Sequence, residues 1–302
     1  MGADTDRTSL AAALLRSLRP HQWAKNTLIF IPLILAGRAG DREAWVACGL
    51  GFIAWGLVAS AAYLVNDLKD LSFDRKHHSK RHRPIASGAL PARLAALAGM
   101  VIGACGLLLA AYLGSTPFFL LLLYAVASIA YSFGLKRLPI LDVLILAALF
   151  TMRLVFGIAV AAVPASPWLL VFSMFVFMSL SLAKRYTEAA RNGEDGKHEI
   201  DGRGYLARDT PLLLALGVST TAGAVLIMIL YLIEEAFAAT FYQSPVWLWL
   251  LPVILFLWLG RIWLLAGRQV LDEDPIRFAI GDKASLALGL AMVVVFFIAW
   301  RF

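Results

Sequence analysis

Four polar residues with helical spacing are the first feature of the chain that could carry chemistry. Asn66, Asp67, Asp70 and Asp74 follow directly on the apolar run 45–65. At about 100° per residue they fall within roughly a quarter of a helix circumference. Mg²⁺ suits such a stripe, because it binds carboxylate oxygens together with substrate phosphate oxygens. The spacing therefore predicts a magnesium site for a diphosphate, with the three aspartates as ligands; a solvated acidic helix end is the simpler alternative.

A strongly basic segment, residues 75–88, comes immediately after this stripe. Metal-bound diphosphate keeps negative charge that arginine can bind through two parallel hydrogen bonds. We therefore expect Arg75, Lys80, Arg81 or Arg83 to hold a phosphate group of the substrate, either in the diphosphate or elsewhere, although a basic run alone is typical of a membrane anchor. Its three histidines have no second cluster elsewhere, so a histidine metal site is not supported.

Three further groups lie at or inside apolar segments. Residues 19–26 end in Lys25 and Asn26, which can donate to phosphate or anchor the chain at the membrane interface. Arg153 lies within an apolar run and should face a cavity, an acid or a phosphate; Asp142, on the same helix face, is the alternative partner. Lys184 and Arg185 end another apolar run, and the acidic residues of the loop beyond them lack helical spacing.

These groups must be positioned by membrane helices. The 302-residue chain is 61% hydrophobic and 16% charged, with mean hydropathy +0.77, far more apolar than a soluble domain requires. A spanning helix needs about 20 apolar residues. Nine segments qualify, the first being short and expected to extend back through Trp23: 27–37, 44–65, 93–113, 117–135, 138–160, 167–183, 210–233, 245–266 and 283–300.

The basic residues predict the orientation of these spans. Most of the 27 lysines and arginines fall on one face if the spans alternate, and that face is expected to be cytoplasmic. The net charge of +7 then matches anionic lipid and phosphorylated substrate, so no nucleic-acid partner is expected. Both cysteines lie in apolar segments, which excludes a disulfide framework.

The polar segments suggest one membrane domain over residues 1–302. It comprises a cytoplasmic N-terminal segment, 1–26, and two long loops, 66–92 and 184–209, on the same face. Loops of this length in a compact protein are usually functional or disordered. We expect both loops to form a polar cap over a helical bundle and to line the active site.

The motifs resemble those of the UbiA-like intramembrane prenyltransferase superfamily over nearly the whole chain. The pattern R-P-x-Q-W-x-K-N, then N-D-x-x-D-x-x-x-D-R with K-R-x-R-P-I-A-x-G, then Y-S-F-G-L-K and K-R-Y-x-E is similar to the decaprenyl-phosphate phosphoribosyltransferase branch. This chain has these motifs at 19–26, 66–88, 131–136 and 184–188. A second Asp-rich stripe, usual in the superfamily, is absent at 184–188, as in that branch.

The resemblance implies an all-α fold of about nine transmembrane helices around a central cavity, in the inner membrane of a bacterium. It implies Mg²⁺-dependent transfer of 5-phosphoribosyl from phosphoribosyl pyrophosphate to a polyprenyl phosphate of the cell envelope, with pyrophosphate released. Combined with the local chemistry, it gives the following candidate substrate-binding residues: Lys25, Asn26, Asn66, Arg75, Lys80, Arg81, Arg83, Tyr131, Lys136, Arg153, Lys184, Arg185, Tyr186 and Glu188.

Two other functions stay open at this point. The first is a prenyltransferase that moves an isoprenoid from its diphosphate to an aromatic or other small acceptor. The second is a transporter or scaffold without catalysis, which has no evident need for the acidic stripe and the basic run together. A second copy of the chain is a further candidate partner.

Overall fold

The computed structural model describes residues 9–76, 80–194, 203–271, 278 and 281–301. Helices account for nearly all of the regular structure in these ranges, as the sequence predicts. We number the α-helices in chain order: α1 Leu10–Leu18, α2 Ile31–Leu35, α3 Arg42–Lys69, α4 Leu71–Asp74, α5 Ala92–Leu113, α6 Ser115–Phe133, α7 Leu141–Ala161, α8 Pro167–Glu194, α9 Thr210–Tyr231, α10 Leu250–Gly267 and α11 Lys283–Arg301.

Eight helices within the described residues are long and apolar enough to cross a membrane. They correspond to eight of the nine predicted spans. The first predicted span is instead built from the 3-10 segment Pro20–Phe30 and the short helix α2. It does extend back through Trp23, as expected, but neither piece has the length of a spanning α-helix.

The chain divides into two compact units. The first contains Met1–Phe133 and Met152–Ala165, and the second contains Gly134–Thr151 and Ser166–Phe302. Helix α7 contributes its first half to the second unit and its second half to the first. The residues predicted to do chemistry are therefore described below within each unit separately.

In the first unit, α3 is the helix on which the others pack. Asp41 begins it by accepting a hydrogen bond from the amide of Ala44 at 3.0 Å, a common N-terminal cap. Small residues then allow close helix approach: a Cβ on Gly106 of α5 would lie 2.8 Å from the carbonyl oxygen of Ala54. The same applies to Gly56, whose added Cβ would lie 2.6 Å from the Trp23 ring. These contacts seat α5 and the Pro20–Phe30 segment on α3.

In the second unit, α8, α9 and α10 share a continuous apolar core. Leu180, Leu213, Leu259 and Trp263 are among its buried members. The side chain of Trp263 fills the space beside Gly217 of α9, where an added Cβ would fall 1.8 Å from the indole ring. This core supports the polar end of α8, which carries Lys184 and Arg185.

Candidate active site

Two carboxylates of the predicted stripe meet at one guanidinium group. Nη1 of Arg83 donates to Oδ1 of Asp67 at 3.0 Å and to Oδ2 of Asp74 at 2.7 Å. Nη2 of Arg19 donates to both oxygens of Asp67, at 2.7 and 2.8 Å. Both carboxylates are only 3% exposed, whereas the arginine side chains are 23% and 27% exposed. The carboxylates are therefore buried beneath the two guanidinium groups, which balance their charge and are partly exposed to solvent.

Arg19 reaches this cluster from a strained backbone position. It ends α1 in the left-handed conformation, with φ 51° and ψ 56°, which costs about 1–2 kcal/mol for a residue with a Cβ. The chain around it is fixed to α3, because Nε1 of Trp23 donates to Oγ of Ser60 at 3.0 Å and that hydroxyl donates to the Leu18 carbonyl at 2.8 Å. The ion pair with Asp67 offsets the strain and aims Arg19 at the stripe.

Arg83 is positioned by the loop that follows it. Ile85 and Leu90 are buried in an apolar cluster with Leu64 of α3. The amide of Leu90 donates to the carbonyl of Pro84 at 2.9 Å, and Gly88 has φ +84°, a conformation suited to glycine. The loop thus folds back onto α3, so that Arg83 lies over Asp67 and Asp74.

Asp70 lies where the stripe is interrupted. The spacing predicts one continuous helix, but α3 ends at Lys69 and Asp70 has a non-helical ψ of 7°. The amide of Asp74 then donates to the Asp70 carbonyl at 2.8 Å and begins the single turn α4. The chain turns here because α3 has reached its polar end, and the turn leaves Asp70 half-buried between the two paired acids.

The other predicted basic ligands of this region are more open. Arg75, Lys80 and Arg81 are exposed; Nε of Arg75 lies 3.4 Å from the Ala86 carbonyl oxygen and Nε of Arg81 lies 3.3 Å from Nε2 of His82. Residues 77–79 lie outside the described residues. Of this basic run, Arg83 is the residue that the structure shows on Asp67 and Asp74.

The end of α6 lies beside the end of α3. Nζ of Lys69 donates to the carbonyl of Ser132 at 2.5 Å and lies 4.2 Å from the centre of the Phe133 ring. Tyr131, which precedes Ser132 in the chain, is half-buried, as are Lys25 and Asn66. The Y-S-F motif is thereby fixed near the acidic cluster within the first unit.

The donor set of this cluster fits a magnesium ion. Mg²⁺ is commonly held by one or two carboxylates and completes its coordination with water and substrate phosphate. Asp67 and Asp74 already converge on a single cationic nitrogen of Arg83, so one cation can balance both. Within the described part of the chain, no group of three or more His, Cys, Asp or Glu side chains is arranged to hold a metal. The fit therefore rests on the pair of acids.

A second ionic cluster, within the second unit, surrounds Arg185. Its Nε donates to Oδ2 of Asp142 and its Nη1 to Oε2 of Glu188, each at 2.6 Å. Asp142 and Arg185 are both completely buried. Arg203 lies at the rim of the cluster, 3.7 Å from Asp142 and 3.5 Å from Glu188. Lys184 is 4.0 Å from Glu188 and remains partly exposed.

Tyr205 closes this second cluster from the loop 203–209. Its hydroxyl donates to Oδ1 of Asp142 and accepts from the amide of Ile140 at 2.7 Å. Burial and the hydrogen bond to Asp142 raise the pKa of Tyr205 above its usual range, so the phenol stays protonated. Lys136, four residues before Ile140 in the chain, is half-buried. The ring of Tyr186 packs edge-on against the ring of Trp263, with 6.0 Å between the ring centres. Residues 195–202 of this loop lie outside the described residues.

The alternative pairing of Arg153 with Asp142 is wrong. The two residues are eleven positions apart on α7, about 16 Å along the axis, which is beyond the reach of their side chains. Nε of Arg153 instead donates to Oδ1 of Asn26 at 3.0 Å, and Nη2 lies 3.5 Å from the Tyr124 hydroxyl. The guanidinium carbon also lies 5.4 Å from the centre of the Trp55 ring. Asn26 and Arg153 are thus brought together as candidate ligands.

We call Asn26, Trp55, Tyr124 and Arg153 the donor cluster. All four side chains are buried. Among the residues that the structure describes, Nδ2 of Asn26 and Nε1 of Trp55 find no hydrogen-bond partner, and leaving a buried donor unsatisfied costs about 1–3 kcal/mol. The unsatisfied donors of this cluster therefore lower the free energy of unfolding, which is unusual for a purely structural core.

Several residues of these sites were not predicted from the sequence. Arg19 was visible as part of the 19–26 motif, but its partner lies 48 residues away. Arg203 and Tyr205 gave no signal, because their chemistry depends on a loop folding back to Asp142. Trp55 and Tyr124 read as ordinary apolar residues of spanning helices.

Comparisons with known proteins agree with this architecture. The model of the UbiA prenyltransferase family matches residues 27–287. A solved UbiA homolog from Archaeoglobus fulgidus, bound to GPP and Mg²⁺, superimposes with a TM-score of 0.68 at 16% identity, covering 95% of this chain and 97% of that one. At this identity the likeness concerns the fold alone.

Three relatives are similar in sequence. The protein y4nM of Sinorhizobium fredii is 43% identical over 94% of this chain, but the chain spans only 55% of that relative's length. The nodulation protein NoeC of Azorhizobium caulinodans is 33% identical over 94% of this chain and 92% of NoeC. The decaprenyl-phosphate phosphoribosyltransferase of Mycobacterium tuberculosis is 33% identical over 60% of this chain and 61% of that enzyme.

Proposed function

The chain belongs to the UbiA prenyltransferase family, and from this premise we propose that it transfers 5-phosphoribosyl from phosphoribosyl pyrophosphate to a polyprenyl phosphate. The observation that carries the proposal is the cluster of Asp67 and Asp74 under Arg19 and Arg83. It combines a cation-binding acid pair with two arginines able to bind phosphate. The similarity to decaprenyl-phosphate phosphoribosyltransferase supports the choice of donor.

We assign the diphosphate of the donor to this cluster. Arg83 and Arg19 are only partly buried, so their guanidinium groups can turn from the carboxylates to phosphate oxygens, for which their planar fork is well shaped. Asp67 and Asp74, with Asp70 beside them, would hold Mg²⁺, which when bound acts as a Lewis acid for the departing pyrophosphate. Arg75, Lys80 and Arg81 add positive charge on the exposed side.

The reaction makes one bond and breaks one. An oxygen of the acceptor phosphate forms a bond to C1 of the ribose, and the bond from C1 to the pyrophosphate oxygen breaks with its electron pair on pyrophosphate. The acceptor is already anionic, so no strong general base is needed. The arginines contribute by stabilising charge that develops on the leaving group.

Residues of the second unit are assigned to the acceptor. Lys184 is partly exposed, so its side chain can reach a phosphate. Arg185 is fully buried between Asp142 and Glu188, so we give it a positioning role for Lys184 and Tyr186. Lys25, Asn66, Tyr131 and Lys136 complete the proposed set of substrate ligands.

The remaining proposals concern the protein as a whole. Eight membrane-length helices make it an integral membrane protein. We propose a single domain, because the family match spans residues of both units, with the active site on the cytoplasmic side of a bacterial inner membrane. Self-association into a homo-oligomer is proposed as a further property.

A transfer assay tests this function. The purified chain is incubated with Mg²⁺, ribose-labelled phosphoribosyl pyrophosphate and a polyprenyl phosphate, and label in the lipid phase is followed. We expect transfer that depends on both Mg²⁺ and Asp67, with Asp67→Asn lowering the rate at least about 100-fold. Omission of the polyprenyl phosphate is the control.

The main competing function is prenyl transfer to a small acceptor. It predicts that the same preparation consumes a prenyl diphosphate while phosphoribosyl pyrophosphate stays intact. A non-catalytic transporter predicts neither reaction and little effect of Asp70→Asn on Mg²⁺ or diphosphate binding.

A further inference from the structure

Helix α1 presents an apolar side that the first unit leaves exposed. The helix, Leu10–Leu18, is too short to cross a membrane, because nine residues extend only about 14 Å. Its inner side is buried at Ala13, and Arg16 is its one charged residue. On the outward side Leu10 is exposed, and Leu15 is 61% exposed. These leucines gain free energy on leaving water, so this side of α1 fits a partner that covers it.

The contacts of α1 fix its level along α3. Ala13 shares a buried apolar cluster with Leu64, which lies in the last turns of α3. The Leu18 carbonyl accepts a hydrogen bond from the Ser60 hydroxyl at 2.8 Å. The apolar run of α3 ends at Val65, so α1 lies beside the part of α3 where the membrane-spanning segment ends. A short helix that carries leucines and a cation is typical of the membrane interface.

Phe73 adds an exposed aromatic ring at the same end of α3. It belongs to α4, whose Leu71 packs against the apolar cluster that also contacts Leu14 of α1. Phe73 itself is 71% exposed, and aromatic side chains are enriched at the membrane interface. Two separate elements that share one apolar cluster therefore both expose apolar groups at this end.

The charges beside these apolar groups are positive. Arg16 and Lys76 are exposed, and α1 contains no acidic residue. Of the three aspartates at this end of α3, Asp67 and Asp74 are buried and Asp70 is half-buried. The outward charge therefore complements anionic lipid headgroups. A second copy of the chain would bring the same cations together, which disfavours self-association through these residues.

We propose that this part of the first unit is an interfacial surface that binds anionic phospholipid of the surrounding membrane. The surface consists of Leu10, Leu15, Arg16, Phe73 and Lys76. Its apolar side chains insert at the level of the headgroups, and its two cations bind lipid phosphate. Because α1 ends at Arg19, the surface adjoins the arginine that covers Asp67.

Quenching by spin-labelled lipid tests whether the surface enters the membrane. The full chain, with Cys48 and Cys105 replaced by alanine, carries a fluorophore on Leu15→Cys. It is placed in nanodiscs whose lipids bear a nitroxide in the upper part of the acyl chain. Ser87→Cys, an exposed loop position at the same end of the unit, is the control. We expect stronger quenching at Leu15→Cys than at Ser87→Cys; equal quenching would overturn the proposal.

Thermal unfolding in neutral detergent tests the preference for negative charge. We expect added phosphatidylglycerol to raise the unfolding temperature more than phosphatidylcholine does, and high salt to reduce that difference by screening. Arg16→Gln removes one cation, so half-maximal stabilisation should require about fivefold more phosphatidylglycerol.

Arg81→Gln is the matched control for the loss of charge. It changes the net charge by the same amount, but Arg81 lies between the exposed polar residues Lys80 and His82 and outside the interfacial surface. We expect it to change the titration much less than Arg16→Gln does. Equal effects of the two variants, or equal stabilisation by the two lipids, would show that the surface has no role in binding anionic lipid.

A second copy of the chain is the competing occupant of the surface. Disulfide crosslinking of Leu15→Cys between copies in the membrane, without quenching by lipid, would place a second copy there and contradict the proposal. The proposal does not depend on the proposed function. Neither lipid measurement uses Mg²⁺ or substrate, so failure of phosphoribosyl transfer would leave both results unchanged.

Discussion

Arg83 lies between the carboxylates of Asp67 and Asp74. Its Nη1 touches both carboxylates, and the side chain remains about a quarter exposed. The guanidinium therefore balances the charge of the two acids. Under the proposed function, Mg²⁺ would take over this role and leave the guanidinium available to the phosphates.

The first prediction concerns Arg83→Gln. Removing the cation takes one positive partner from two buried carboxylates, so stability without divalent metal should fall by about 1–3 kcal/mol. Added Mg²⁺ should then raise the unfolding temperature more than it does in the wild type. Arg81→Gln, an exposed neighbour in the same loop, is the control. Equal Mg²⁺ shifts in Arg83→Gln and the wild type would contradict the assignment.

The second prediction concerns the buried pair of Asp142 and Arg185. Asp142→Asn removes the fully buried one of the two carboxylates that balance a completely buried guanidinium, so the free energy of unfolding should fall by about 3–5 kcal/mol. Asp41→Asn is the control, because Asp41 pairs with a largely exposed Arg38 and asparagine is an equally good helix cap. It should cost much less than Asp142→Asn does. Similar losses in the two variants, measured by chemical denaturation, would argue against a buried network.

At the scale of elements, the Pro20–Phe30 segment links the acidic cluster to the donor cluster. It follows Arg19, carries Asn26 and reaches Gly157 of α7 through the Ile29 carbonyl. A Cβ on Gly157 would lie 2.2 Å from that carbonyl oxygen. Because the obstacle is backbone, no side-chain rotation can relieve the clash.

The third prediction follows from this close approach. Gly157→Ala should push the Pro20–Phe30 segment away from α7 and destabilise the protein by about 1–3 kcal/mol. Gly49→Ala on α3 is the matched control, since its added Cβ meets nothing within 4 Å. Thermal unfolding measures the loss of stability. Equal stability of the two variants would show that the segment adapts freely.

Element boundaries followed the apolar pattern closely where hydropathy alone decides them. The predicted span 93–113 is α5 Ala92–Leu113, and 283–300 is α11 Lys283–Arg301. The prediction failed where helices continue into polar sequence: 167–183 was expected, but α8 extends to Glu194. Its last turns are held by ion pairs of Arg185 and by hydrogen bonds of Arg191, which a hydropathy pattern does not contain.

The candidate sites likewise contain residues that the sequence predicts and partners that it does not. Asp67 and Asp74 were predictable, because their helical spacing is local. Their partners were not all predictable, because Arg19 meets Asp67 only after α1 and the following segment pack on α3. Likewise Arg153 and Asp142 share one helix face, but their separation along α7 forces each to a different partner.

At the scale of the whole molecule, the basic loops predict an orientation if the spans alternate. In that prediction the loop 80–90 belongs to the basic face and residues 237–244 belong to the opposite face. Both contain exposed positions, Ser87 and Gln243, at which a probe can be placed without disturbing the core.

The fourth prediction uses these positions. In a chain with Cys48 and Cys105 replaced by alanine, Ser87→Cys should react with a membrane-impermeant maleimide only in inside-out vesicles. Gln243→Cys is its counterpart and should react only in right-side-out vesicles. The positive-inside distribution of lysine and arginine is the physical reason. The reverse pattern would put the acidic cluster on the outer face.

The identity of the group that is transferred tests the central claim most directly. Parallel reactions contain phosphoribosyl pyrophosphate labelled either in the ribose or in the β-phosphate, with Mg²⁺ and a polyprenyl phosphate. We predict that ribose label enters the lipid while β-phosphate label is released as pyrophosphate, and that Asp67→Asn abolishes both. Intact phosphoribosyl pyrophosphate in a preparation that consumes a prenyl diphosphate would contradict the proposed function.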